Sequence, residues 1–119
     1  MKRDWDLVRL ILLRAQDLPP RQSLQCTDLE GYDAEVVAEH MYLLDQAGLA
    51  EVTMARSNNS PASGRVNRLT WEGHEFIDLM TSDTQWNRVK ETLKERGIDL
   101  SFEAIKTVGK VLIQGFMTS

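Results

Sequence analysis

Residues 35–52, EVVAEHMYLLDQAGLAEV, contain a helix signal, a stop and the start of a strand, and this stretch decides the fold. Asp33 precedes it with a short carboxylate suited to capping a helix N-terminus. Gly48 follows the last apolar residue of the repeat, where a glycine ends helices. We therefore predict a helix between these two residues. Its predicted inward side carries Val36, Val37, Met41, Leu44 and Ala47, and its outward side carries Glu35, Glu39, Tyr42 and Gln46.

Upstream of this helix the pattern predicts another helix and a short strand. Apolar residues recur at helical spacing from Asp4 to Gln16, and Pro19 and Pro20 end that repeat because proline lacks the N–H that a helix needs. Residues 22–27 alternate between polar and apolar, which predicts a strand. Gly31 marks the turn that follows.

Downstream, the sequence predicts a hairpin and then three helices. Strand-like residues 49–55 and 65–69 flank the turn-forming segment SNNSPASG, which predicts a loose tip of eight residues. Thr70 is positioned to cap a third helix. Ser82 with Gln85 has capping-box spacing for a fourth helix ending at Gly97, and Ser101 opens a fifth.

The last helix carries an apolar stripe with a glycine inside it. A glycine within a helix lowers helix propensity, so Gly109 predicts close packing against another backbone. The stripe also motivates a homodimer formed through the terminal helices. It consists of Phe102, Ile105, Gly109, Leu112 and Phe116.

The order of helix, strand, helix, two-stranded wing and helix resembles a winged-helix domain. The segment EVVAEHMYLLDQAGLAEV is similar to the third helix and first wing strand of winged-helix regulators, and RLTWEGHEFIDLM to the return strand and the helix after it. Together with MKRDWDLVRLILL and TQWNRVKETLKERG, these segments resemble a small uncharacterised family, a domain of unknown function, from bacteria and their prophages. The resemblance implies an α+β, mainly helical fold. We expect a single domain over residues 1–119, with a winged-helix core over 1–81 and a helical extension over 82–119.

Charge argues against a DNA-reading helix at the position where winged-helix regulators carry one. The chain has 14 Lys and Arg against 18 Asp and Glu, a net charge of −4. Residues 22–55 contain no Lys or Arg, and their acidic residues are Asp28, Glu30, Asp33, Glu35, Glu39, Asp45 and Glu51. Affinity for DNA comes largely from neutralising phosphates, so insertion of the second helix into a major groove is disfavoured.

Two functional hypotheses remain open from the sequence. The first is a non-enzymatic regulatory module, linked to transcription, that binds duplex DNA through its wing. Its candidate residues are Arg56, Asn58, Asn59, Arg65 and Arg68. The alternative is an acidic protein-interaction module, such as a phage-encoded inhibitor of a host protein complex, whose candidate residues are Glu35, Glu39, Tyr42 and Asp45.

The sequence carries no recognisable catalytic, cofactor or metal motif, so we expect neither an enzyme nor a cofactor. The single cysteine, Cys26, is predicted to be a small buried hydrophobic residue. His40 and His74 are predicted to be packed or hydrogen-bonded rather than metal ligands. Charges interrupt the apolar start of the chain, which fits neither a signal peptide nor a membrane span. A cytoplasmic location without membrane contact is therefore expected. The three tryptophans, Trp5, Trp71 and Trp86, are predicted to be core or interface anchors.

Overall fold

The computed structural model describes residues 1–57 and 60–118, and the side chains within these ranges except those of residues 57, 60, 61 and 115–118. Within that part of the chain there are five helices and three strands, which confirms the α+β, mainly helical class. In chain order they are α1 (Trp5–Gln16), β1 (Leu24–Gln25), α2 (Ala34–Gln46), β2 (Ala50–Ser57), β3 (Ser60–Leu69), α3 (Trp71–Asp78), α4 (Asp83–Glu95) and α5 (Phe102–Thr118).

The chain divides into two compact units, Met1–His74 and Glu75–Ser119, and the division falls inside α3. The first unit holds an antiparallel sheet in the order β1-β3-β2. The second holds α4 and α5. The predicted boundary between residues 81 and 82 lies after α3 instead, and the expectation that the whole chain is one domain stays a prediction.

The predicted helix starts and stops of the first unit are confirmed. The Asp4 side chain accepts the backbone N–H of Leu7 at the start of α1, and Asp33 accepts those of Glu35 and Val36 at the start of α2. Gly48, with a φ of +78°, takes the chain out of α2 in the left-handed conformation that glycine adopts without steric cost.

The predicted inward face of α2 is wrong at two positions. Val36 is 39% exposed, and Ala47 is also exposed. At about 100° per residue, both are rotated by roughly 80–100° from Val37, to the same flank of the helix. The buried face is centred on Val37 instead, and its members are Val37, Ala38, His40, Met41 and Leu44.

The loose eight-residue tip of the hairpin is also wrong. Ala55 pairs with Ser63 and Ser57 pairs with Ser60, so β2 and β3 continue through most of the polar segment and only residues 58–59 lie between them. Backbone pairing with the opposite strand overrides the turn preference of Ser and Pro here. The first predicted strand is shorter than expected, because β1 contains only Leu24 and Gln25.

Thr70 joins the end of α2 to the start of α3. Its hydroxyl donates to the carbonyl oxygen of Gly48 at 2.6 Å and accepts the backbone N–H of Gly73 at 3.0 Å, while its own N–H donates to the carbonyl oxygen of Leu49 at 3.0 Å. A Cβ atom at Gly73 would collide with that same Leu49 carbonyl. The glycine is therefore required by close backbone approach, and the predicted Thr70 cap is confirmed.

The second unit packs its helices largely as predicted. Ser82 accepts the N–H of Gln85 at the start of α4, whose buried residues are Trp86, Val89 and Leu93. A Cβ at Gly109 would lie 3.4 Å from Cβ of Leu79, so α5 packs closely there against a side chain and not, as predicted, against another backbone. The rings of Phe76 and Phe102 meet edge to face, with centroids 5.2 Å apart.

Candidate nucleic-acid interface

A bulge in β3 places Arg65 and Arg68 on one face of the sheet. Glu51 pairs with Arg68 but the next residue of β2, Val52, pairs with Val66, so Asn67 is an extra residue in β3. Residues three apart in a regular strand point to opposite faces, and the extra residue reverses that relation. As a result both arginines are exposed, while Val66 and Leu69 are both buried.

Asp45 accepts the backbone N–H of Val52, next to this irregularity on the β2 side. Its Oδ2 atom lies 2.9 Å from that nitrogen. On the β3 side, the amide of Asn67 donates to the hydroxyl of Thr53 at 2.8 Å. Side chains of α2 and of the bulge itself thus satisfy polar groups at the interruption in the ladder.

Arg21 joins the two strand arginines in a single cleft. The cleft has a volume of about 770 Å³ and lies within the first unit. The residues that line it come from the end of α1, the segment before β1, the sheet and the start of α3. Its polar members are Gln16, Arg21, Gln22, Ser23, Glu51, Arg65, Asn67, Arg68 and His74.

The backbone at Arg21 is in the left-handed region, with a φ of +73°, and no other non-glycine residue in the described part of the chain has a positive φ. Gln22 donates its N–H to the carbonyl of Pro19 at 3.2 Å, so residues 19–22 have the hydrogen bond and residue pattern of a type II turn. Glycine is the usual residue at the third position of that turn. Arg21 therefore adopts an unfavourable backbone conformation at a position that lines the cleft.

The charge of the cleft is positive. Three arginines line it against one acidic residue, Glu51. Glu51 Oε2 lies 3.1 Å from Nε of Arg68, and both side chains are more than half exposed. Among the described residues no ion pair is seen for Arg65 or Arg21. The cleft can therefore offer guanidinium groups to an anionic ligand.

Arg56, predicted as a wing contact, is directed to α2 instead. Its Nη2 atom lies 2.9 Å from Oε1 of Glu39, and its guanidinium lies over the ring of Tyr42, 5.0 Å from the centroid. It does not line the cleft that holds Arg65 and Arg68. Asn58 and Asn59, the other predicted wing contacts, lie outside the described residues.

The structure gives three of the four predicted protein-binding residues a partner within the chain. Glu39 forms an ion pair with Arg56, and the ring of Tyr42 lies under the same guanidinium. Asp45 accepts a hydrogen bond from the backbone N–H of Val52. Glu35 is exposed on the same helix. Arg56, from the predicted nucleic-acid site, therefore forms an ion pair with Glu39, from the predicted protein-binding site.

Sequence reasoning missed Arg21, Asn67 and His74 as cleft residues. The pattern Pro-Pro-Arg-Gln at 19–22 indicates a turn but not the positive φ of Arg21, because proline at the second position suits both type I and type II turns. The positions of Asn67 and His74 depend on strand register and on helix placement, which the sequence pattern does not specify.

The predicted interior positions of His40 and Cys26 are confirmed, whereas the predicted packed or hydrogen-bonded role of His74 is wrong, because its side chain is exposed. His40 is fully buried, and its Nε2 accepts the N–H of Asp4 at 2.9 Å. Its Nδ1 lies 2.8 Å from the carbonyl oxygen of Val36, so the proton belongs on Nδ1. Cys26 is buried. In residues 1–57 and 60–118 no cluster of three or more His, Cys, Asp and Glu side chains could hold a metal, and none of the helices there is long and apolar enough to cross a membrane.

Comparison with known proteins shows where the chain belongs. Residues 2–99 match the family described as "Hypothetical protein (DUF2513)". A protein of Haemophilus influenzae described as "Uncharacterized protein" is 43% identical over 114 residues, which cover 95% of this chain and 96% of the relative. The resemblance to a small uncharacterised family and the bacterial setting are thereby confirmed. Neither description names an activity, so a function has to be inferred from the side chains of the cleft.

Proposed function

This chain belongs to the DUF2513 family, and we propose that it is a non-enzymatic regulatory module that binds nucleic acid through the cleft of Arg21, Arg65 and Arg68. The observation that carries the proposal is the convergence of these three arginines, from a strained turn and a bulged strand, in one cleft. Guanidinium groups bind phosphate oxygens through paired, charge-assisted hydrogen bonds. A ligand that presents successive phosphates suits three such groups.

The order of elements supports a winged-helix form of this module. In the first unit, α1, β1, α2, the β2–β3 hairpin and the start of α3 follow one another as in that fold, with the hairpin as the wing. Transcription-related regulation is the role we propose for it, in the cytoplasm where bacterial nucleic acid is found. The contact differs from that of a typical reader, because α2 carries Glu35 and Glu39 and no cation.

The interior placement of His40 and Cys26 supports a binding role rather than an enzymatic one. Both ring nitrogens of His40 are used in hydrogen bonds, and the thiol of Cys26 is buried. His74 lines the cleft beside arginines, and the cleft's carboxylate, Glu51, is paired with Arg68. This composition suits ligand binding through charge better than general acid and base chemistry.

The proposal is tested by fluorescence anisotropy with labelled 20-nucleotide DNA, duplex and single-stranded, over a range of salt concentrations. We expect binding that weakens steeply with salt, and a loss of at least about tenfold in affinity on Arg65→Ala, as for one charge-assisted contact. Arg96→Ala removes an exposed arginine from the other unit with the same change in net charge, so it should leave affinity unchanged. Absence of binding to either oligonucleotide at low salt would reject the proposal.

A second candidate function is the acidic protein-interaction module, of which a phage-encoded inhibitor is one form. The specific observation in its favour is the exposure of Tyr32, Val36 and Tyr42, each 37–39% exposed, next to Glu35 on or before α2. Apolar side chains among carboxylates are typical of an interface for a basic partner. Glu35→Lys should abolish capture of such a partner in a pull-down and leave nucleic-acid affinity unweakened, and the opposite pattern would exclude this function.

A further inference from the structure

Trp71 is exposed next to the arginine cleft. It is the first residue of α3 and is 80% exposed. His74, three residues later, and Leu69, two residues earlier, both line the cleft. Residues three apart on a helix are surface neighbours, with Cβ atoms about 5–6 Å apart. Residue 71 therefore lies within one helical turn of the cleft residue His74, on the same unit.

All three tryptophans were predicted to lie in the core or at an interface. Trp71 does not lie in the core. Trp5 is 9% exposed and Trp86 is 3% exposed, whereas Trp71 lies roughly 140° around the axis of α3 from the buried Phe76. The start of α3 does not need an indole, because Thr70 provides the cap. Because most of the Trp71 side chain is exposed to solvent, it offers apolar surface to a ligand.

The ligand chemistry follows from placing an indole beside guanidinium groups. Proteins that bind single-stranded nucleic acid combine a cationic groove for the backbone with aromatic side chains on which bases stack. In a duplex the faces of the bases are covered by their neighbours, so an exposed indole gains little. Unpaired bases offer their faces to it.

We propose that the cleft takes a single-stranded segment of nucleic acid, with its phosphates on Arg65, Arg68 and Arg21 and one base stacked on Trp71. The inference rests on the proposed function, since it names the form of nucleic acid that the same cleft binds. Base stacking tolerates any sequence, because every base has a π face. Binding should therefore depend on strandedness more than on sequence.

The three tryptophans make the test selective. Acrylamide quenches exposed indoles, so quenching of this protein reports mainly on Trp71. We expect a single-stranded 20-mer to protect the fluorescence from acrylamide, and the duplex of the same sequence to protect it less. In anisotropy titrations the single strand should bind at least fivefold more tightly than the duplex.

Two substitutions separate stacking from general apolar contact. Trp71→Phe retains an aromatic face and should keep most of the affinity for the single strand. Trp71→Leu retains apolar volume without a π system and should weaken single-strand binding by at least about fivefold. Both variants should melt within a few degrees of the unsubstituted protein, because residue 71 is largely in water.

The outcomes distinguish this inference from the proposed function. Equal affinity for single strand and duplex, or unchanged single-strand affinity in Trp71→Leu, would overturn the stacking inference. If Arg65→Ala still weakened binding in that case, the arginine cleft would stand without the indole. Loss of all oligonucleotide binding at low salt would overturn both.

Discussion

The guanidinium of Arg56 lies 2.9 Å from the carboxylate of Glu39 and stacks over the ring of Tyr42, so that β2 is tied to α2. This pair links the predicted nucleic-acid site on the wing to the predicted protein-binding site on α2. It directs Arg56 to α2, and Arg65 and Arg68 are the cations of the strands that line the cleft.

The first prediction concerns Arg56. Arg56→Ala should change oligonucleotide affinity less than twofold, because its charge is already compensated by Glu39. The free energy of unfolding should fall by at most about 1 kcal/mol, as for other exposed ion pairs. Anisotropy and urea unfolding measure the two effects, and a loss of affinity equal to that of Arg65→Ala would contradict the assignment.

The second prediction concerns the strained turn. Arg21→Gly should raise the free energy of unfolding by up to about 1 kcal/mol, since glycine adopts the positive φ without steric cost. The same change should weaken nucleic-acid binding. Arg21→Ala is the matched control: it should lose the same affinity without the gain in stability. A glycine variant that bound normally would show that Arg21 has no role in the ligand contact.

The third prediction concerns the bulge. Asp45→Ala removes the acceptor for the Val52 N–H, and should lower the free energy of unfolding by about 1–2 kcal/mol. Because Asp45 supports the register that aligns Arg65 with Arg68, affinity for oligonucleotide should fall although a negative charge has been removed. Glu35→Ala removes a negative charge from the same helix and serves as the control. Stronger binding in Asp45→Ala would mean that the carboxylate acts only by repelling the ligand.

Much of the framework of these sites is predictable from local patterns. Asp33, Gly48, Thr70 and Ser82 end or begin helices where the sequence places them, because capping depends on residues within one turn. The bulge at Asn67 was not predictable in this way, since it depends on pairing between two strands. The sequence did not decide between a core and an interface position for Trp71, because an apolar residue at helical spacing does not reveal which face is covered.

The fourth prediction contrasts two glycines. Gly73→Ala should lower the free energy of unfolding by about 1–3 kcal/mol, because the added methyl group meets the backbone carbonyl of Leu49. Gly109→Ala meets only the Leu79 side chain at 3.4 Å and gains helix propensity of about 1 kcal/mol, so it should be neutral or stabilising. Thermal or urea unfolding checks both. Equal effects of the two changes would contradict the close approach at Gly73.

The fifth prediction concerns the buried imidazole. His40→Phe keeps the ring but removes both hydrogen bonds, to the Asp4 N–H and the Val36 carbonyl, and should lower the free energy of unfolding by about 1–3 kcal/mol. His74→Phe changes an exposed histidine and should stay within about 0.5 kcal/mol. If the two variants unfolded at the same urea concentration, the hydrogen bonds of His40 would contribute no net stability.

The proposed phosphate contacts of Arg65 and Arg68 are tested most directly by the salt dependence of single-strand binding in the Arg65→Ala, Arg68→Ala double variant. Each phosphate contact on a single strand contributes about 0.7 to the slope of log affinity against log salt concentration. We expect this slope to be smaller by about 1.4 in the double variant than in the unsubstituted protein, because two contacts are lost. The control variant Arg96→Ala should keep the original slope. An unchanged slope in the double variant would contradict the claim that these two arginines hold the phosphates.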